Sequence, residues 1–237
     1  MLKKLTILMI VSVMAVALSA CSGINNTKNN NEDNTGSEEK IEIIASIFPI
    51  KEFAEAVGGD RVKVSLLVPE GVEVHDFEPK PRDIERLAGA DIFAYNGLGM
   101  EAWIEQVLQT VSSKKNLTII NTSSGAEVLY YDKDNGQEHQ EEAHDHEDDD
   151  HDHVEEDHNH GEYDPHIWLS LKEAKVQAEN IKNALISIDE ENKDYYEANF
   201  DAFASKLNAL ESEYKGKFAQ LTNKYFITGH SAFGYLC

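Results

Sequence analysis

Basic residues are scarce in this chain: 21 Lys and Arg stand against 44 Asp and Glu, for a formal net charge of −23. That balance excludes binding to nucleic acid or to an anionic membrane through a basic face. Much of the acidity is local, since residues 131–163 carry fifteen Asp or Glu and a single Lys, and the remainder is only moderately acidic. Cysteine is equally rare, with Cys21 and Cys237 the two present. Long apolar runs are missing too: the sustained one, Leu5–Leu18, is too short to span a bilayer as a mature helix. No H-E-x-x-H helix and no nucleophile motif occurs. A zinc-dependent hydrolase, a competing reading for any cluster of three histidines, therefore lacks its positioned general base.

What is present begins with an address. Met1-Leu2-Lys3-Lys4 followed by the apolar run reads as a secretory signal over residues 1–20. Leu18-Ser19-Ala20-Cys21 resembles the lipobox of bacterial lipoproteins. That resemblance implies cleavage before Cys21, a diacylglyceryl thioether on its sulfur, and anchoring to the outer face of the cell membrane, where several acyl chains hold firmly. With Cys21 so used, no internal disulfide is expected, and Cys237 is either a free thiol or the point where the chain was cut. Residues 21–40 are rich in Asn, Glu, Ser and Gly, with Ile24 the one large apolar residue. Such a segment cannot offset its ordering entropy and should be a flexible tether.

From Ile41 short apolar runs alternate with helical periods. Strands are expected at 41–47, 61–68, 91–95 and 117–120, and helices at 49–57, 81–88 and 101–111. The alternation predicts βαβ units and a parallel sheet flanked by helices. Leu171, Ala174, Ala178, Ile181 and Leu185 mark a helix over 169–188. A long helix follows over 191–221, with Tyr195, Phe200, Phe203, Leu207, Leu210 and Tyr214 as its core-packing stripe. Lys224–Thr228 is expected to start a new strand, left with an open edge because the sequence stops nine residues later.

Seven of the ten histidines (His139, His144, His146, His151, His153, His158 and His160) sit among twelve Asp or Glu between Glu138 and His160, where Ala143 and Val154 are the only apolar residues. No packed core can form there, so the stretch is a solvated loop. Neighbouring carboxylates favour protonated imidazoles, which metal must displace, and ordering the loop costs entropy. It should offer several weak, exchangeable metal sites.

The other three histidines lie apart: His75 in VPEGVEVHDFEPKPRDI, His166 in DPHIWLS and His230 in FITGHSAFGYL. His75 and His230 follow expected strands, the position where parallel α/β sheets bind ligands. Their wide separation is unlike the tight spacing of a structural zinc finger and means that the site joins distant parts of the fold.

These three stretches resemble the ligand motifs of zinc-specific solute-binding lipoproteins of ABC importers, a family that includes manganese binders and proteins described as adhesins. The resemblance covers residues 41–237. It implies a two-lobed α/β solute-binding fold with parallel sheets flanked by helices. The first lobe would span 41–168 and carry the His-rich loop at 131–163, with 169–190 as a further helix. A long rigid helix at 191–222 would join the lobes, and 223–237 would begin a second lobe that is mostly missing. The resemblance also implies that His75, His166 and His230 bind Zn2+, the transported ligand, through imidazole nitrogens, that the partner is a membrane permease, and that the protein is a monomer. Water, Glu73 or Asp76 could complete the shell, whereas Asp164 and Pro165 shape the loop carrying His166. Three neutral imidazoles suit zinc, while manganese prefers more carboxylate oxygen; in the family's manganese members a carboxylate matches His230. The alternatives are a receptor for manganese or another divalent metal and a surface adhesin.

Overall fold

The computed structural model describes residues 39–114, 116–130, 163–223, 225, 227–229 and 231–236. The signal segment, Cys21, His230 and the seven histidines of the acidic loop lie outside the described residues. Among the described residues no helix is long and apolar enough to cross a membrane.

Four short strands, β1 (Ile41–Ala45), β2 (Val62–Leu66), β3 (Ile92–Tyr95) and β4 (Thr118–Asn121), form one parallel sheet in the order β2-β1-β3-β4. Three helices connect them: α1 (Phe48–Gly58), α2 (Pro81–Ala88) and α3 (Ile104–Val111). Side chains alternate across a strand, and β1 feeds two cores accordingly. Ile43 and Ala45 join Ile92 and Ala94 against Ile50, Ala54 and Val57 of α1. Ile44 turns the other way and joins Phe93, Leu87, Val107 and Val111 under α2 and α3. A sheet buried on both faces explains why its strands read as continuous apolar runs.

The remaining helices are α4 (Leu171–Ile188) and α5 (Lys193–Ala219). Ser170 caps α4, its hydroxyl accepting from the Glu173 amide at 3.3 Å, a standard way to satisfy a first-turn N–H. Ala174, Ala178, Ile181 and Leu185 are all buried, as their spacing predicts. The first half of α5 packs on the lobe through Tyr195, Tyr196, Phe200 and Phe203. At the end of α1, Gly59 has φ 53°, and a Cβ there would meet the Tyr195 hydroxyl at 2.3 Å. Glycine permits both the left-handed turn and the contact.

The structure corrects the sequence reading in three places. Leu210 and Tyr214 are exposed by 39% and 42%, so the apolar stripe of α5 is core only in its first half. Helix α3 starts at Ile104 rather than Glu101, because the Glu101 side chain is drawn inward to accept hydrogen bonds from the preceding turn. Tyr225, Ile227 and Thr228 belong to no strand, and Tyr225 and Ile227 are 92% and 100% exposed. A strand persists only where a neighbour takes up its backbone groups, and the described sheet offers none to this segment.

A buried residue of α4 and an exposed residue of α5 should respond differently to truncation. Ile181→Ala should cost about 2–5 kcal/mol of unfolding free energy, whereas Leu210→Ala should stay within about 0.5 kcal/mol. Urea denaturation of both variants measures the contrast; comparable losses would contradict the burial pattern.

Candidate metal centre

In the order β2-β1-β3-β4, the chain leaves β1 toward β2 on one side and leaves β3 toward β4 on the other. Such a switch point opens a crevice beyond the carboxyl ends of the strands. Here Ser46 and Asn96 directly follow β1 and β3, and one buried carboxylate joins them. Glu101, 1% exposed, accepts from the Ser46 hydroxyl at 2.5 Å and from the backbone amides of Asn96 at 2.8 Å and Gly97 at 3.0 Å. Burial pushes its pKa up, while these three donors act in the opposite direction. The turn between Asn96 and Glu101 is sharp, with Gly97 at φ 86° and Leu98 at φ 57°. A Cβ on Gly97 would strike the Asn121 side chain at 2.4 Å.

Asn96 carries this order outward. Its side-chain amide donates to the Pro165 carbonyl at 2.9 Å and to the Gly97 carbonyl at 3.0 Å. Its own oxygen accepts from Gln177 of α4 at 2.9 Å, and Gln177 also reaches Thr122 at 3.1 Å. Asn96, Thr122 and Gln177 are fully buried. The residue before His166 is thereby fixed to the sheet and to α4 at once.

Asp164 then orients His166 itself. One carboxylate oxygen accepts from the His166 amide at 3.0 Å and lies 2.7 Å from Nδ1. A carboxylate accepts, so the pairing assigns the ring proton to Nδ1 and leaves Nε2 as the lone-pair nitrogen, the arrangement that supports imidazole ligands in metal sites. Both residues are about 5% exposed, and Trp168 packs across the imidazole at 5.4 Å. The expectation that Asp164 and Pro165 shape this loop matches their contacts.

His75 approaches from the connection after β2. That loop is anchored by Val74, packed on the core, and by Phe77, whose ring meets Trp103 edge-on at 5.9 Å. The His75 and His166 rings lie 6.2 Å apart at 73°. Two imidazoles sharing a tetrahedral ion at about 2.0–2.1 Å would place their centroids about 5 Å apart, somewhat closer than they stand here. Glu73 and Asp76 are exposed. Among the described residues no group of three His, Cys, Asp or Glu is gathered as a metal shell, and the pair is as far as they go.

The acidic loop leaves and returns beside this centre. Tyr130 and Tyr163 form an antiparallel bridge, with their rings 5.0 Å apart, and Asp164 donates its amide to the Leu129 carbonyl at 2.9 Å. Sequence reasoning missed Asn96, Glu101 and Gln177. The signal available for the first two was the glycine-rich turn NGLGME directly after an apolar strand, with Asn96 at its start and Glu101 at its end.

A family model described as zinc-uptake complex component A, periplasmic, matches residues 43–237. The high-affinity zinc uptake system protein ZnuA of Bacillus subtilis is 34% identical over 236 residues, covering 100% of this chain and 68% of that protein. A putative metal-binding protein of Treponema pallidum is 33% identical over 199 residues, 84% of this chain and 59% of that protein. The crystal structure of Zn(II)-bound AdcA from Streptococcus pneumoniae superposes with a TM-score of 0.67 at 30% identity, covering 83% of this chain and 37% of that one. The chain thus spans about three fifths of the Treponema relative's length and a smaller part of AdcA.

Glu101→Gln should destabilise the protein by about 1–3 kcal/mol, because an amide presents a donor to one of three buried donors now facing oxygen. Urea denaturation of metal-free protein measures it, and unchanged stability would show that the carboxylate is not the joint between the strands.

Proposed function

Since the chain belongs to the family of zinc-uptake complex component A proteins, we propose that it is an extracytoplasmic receptor that captures Zn2+ and delivers it to the membrane permease of an ABC importer. One observation carries this reading above the others. Two histidines from loops distant in sequence meet at the switch point of the sheet, and one of them is held in a ligand's tautomer by a buried carboxylate.

In this reading His75, His166 and His230 bind the ion through imidazole nitrogens. Zinc accepts such a shell readily because it has no geometric preference from d electrons and forms strong bonds to neutral imidazole. A manganese receptor would call for more carboxylate oxygen, and Asp164 is already engaged with His166. The work required of the site is capture and release, to which a positioned general base adds nothing, and the reading includes no catalytic step. Cys21 is the lipid attachment point that keeps the monomer at the outer face of the membrane, beside its permease.

The acidic loop collects metal. Its histidines His139, His144, His146, His151, His153, His158 and His160 provide weak, exchangeable sites, and its charge raises cation concentration near the mouth of the crevice.

His75→Ala, His166→Ala or His230→Ala should each weaken the tight zinc site by more than the roughly 10–100-fold typical of losing a supporting hydrogen bond, which is the range for Asp164→Asn. Competition with a chelator of known affinity checks all four. Unchanged affinity in any histidine variant removes that residue from the site.

Deleting residues 138–160 should leave one tight site, abolish the weak ones, and slow capture at limiting zinc. That slowing should fade with ionic strength, since screening acts over about 10 Å at 0.1 M salt. Calorimetry and rapid-mixing capture rates separate these effects; loss of the tight site with the loop would place the true site in the loop.

A further inference from the structure

The stems of the acidic loop are joined by an incomplete pair of hydrogen bonds. In an antiparallel ladder two facing residues exchange both N–H···O=C bonds. Asp164 donates to the Leu129 carbonyl at 2.9 Å, but the return bond from Leu129 to Asp164 is not made directly. The Tyr235 hydroxyl stands in between. It accepts from the Leu129 amide at 3.0 Å and donates to the Asp164 carbonyl at 3.0 Å. Three residues thus close a ring of three hydrogen bonds, and one of them is Asp164, whose side chain orients His166.

Close approach makes this possible. Gly234 sits so near that a Cβ on it would lie 2.8 Å from the Asp164 carboxylate and 3.3 Å from the Leu129 side chain. Ala232, on the same segment, is buried. Burial also raises the pKa of the Tyr235 phenol, which keeps the proton it needs in order to donate.

We propose that Tyr235 is a positioning residue, a clasp that locks the segment following His230 onto the stems of the acidic loop and onto the residue that orients His166. Docking of segment 231–236 and fixing of the ligand loop then become one event. A ligand shell assembled this way should release its ion slowly because both sides must loosen together. The metal consequence rests on the zinc-receptor reading, whereas the clasp itself is a property of the metal-free chain.

The test uses the full chain with Tyr235→Phe, which removes the hydroxyl and keeps the ring, and Gly234→Ala, which blocks the approach and keeps the hydroxyl. Hydrogen exchange at the Leu129 amide, without metal, should quicken in both. Zinc release into excess chelator should quicken by roughly tenfold, the equivalent of about 1.4 kcal/mol, with the capture rate within about twofold of wild type and the melting temperature little changed. A merely structural role would lower the melting temperature and leave the release rate of folded molecules unaltered. Unchanged exchange at Leu129 in both variants overturns the clasp. Faster exchange with unchanged zinc release overturns its link to the metal. A wild-type chain that retains no zinc sinks the receptor reading alone, and the exchange result still decides on the clasp.

Discussion

A carboxylate removed from water at the end of a parallel sheet must find donors, and the way Glu101 finds them organises everything above it. Its three partners come from the ends of two neighbouring strands, Ser46 after β1 and the Asn96-Gly97 turn after β3. Buried charge without such partners would cost several kcal/mol; with them, the strand ends become a fixed platform. Asn96 extends that platform to Pro165, and Asp164 extends it to the imidazole of His166. The histidine is therefore placed by a relay of buried polar contacts running back to the sheet.

That relay separates two kinds of histidine in one chain. His166 stands on a buried carboxylate and against Trp168, and His75 stands on a loop anchored by Phe77 and Val74. Each has lost much of its freedom before any ion arrives, which is what favours tight binding. The seven histidines between 138 and 160 have no apolar neighbours that could do the same, apart from Ala143 and Val154. In the proposed receptor, capture by attraction and retention by preorganised ligands fall to different parts of the chain.

Much of this was legible in the sequence, and the reason lies in which forces leave a local trace. Strands buried on both faces read as apolar runs, so all four were located within two or three residues at each end. Helix α2 was bounded correctly because Pro81 marks its first turn; α4 was found from the spacing of Ala174, Ala178, Ile181 and Leu185, but its start was placed two residues early, at 169 rather than after the Ser170 cap. What the sequence did not reveal depends on contacts between distant residues. Glu101 looked like the first residue of a helix, since a helix start tolerates Glu and nothing local shows that the side chain turns inward. Leu210 and Tyr214 continue the spacing of Phe200 and Phe203 but remain 39% and 42% exposed. Lys224–Thr228 has strand composition, yet pairing rather than composition makes a strand. The histidine motifs were visible individually; that His75 and His166 meet is a statement about the fold.

The central claim is that the first zinc ion goes to the preorganised centre, with His166 bound through Nε2 while Nδ1 keeps the proton shared with Asp164. Long-range proton–nitrogen correlation spectra of the imidazoles, recorded as one equivalent of zinc is added, test it directly. The account predicts that the first equivalent shifts the ring nitrogens of His75 and His166, that His166 retains its proton on Nδ1, and that the imidazoles of residues 138–160 respond only to later equivalents. A first equivalent that moves the loop histidines and leaves His75 and His166 unchanged would contradict it.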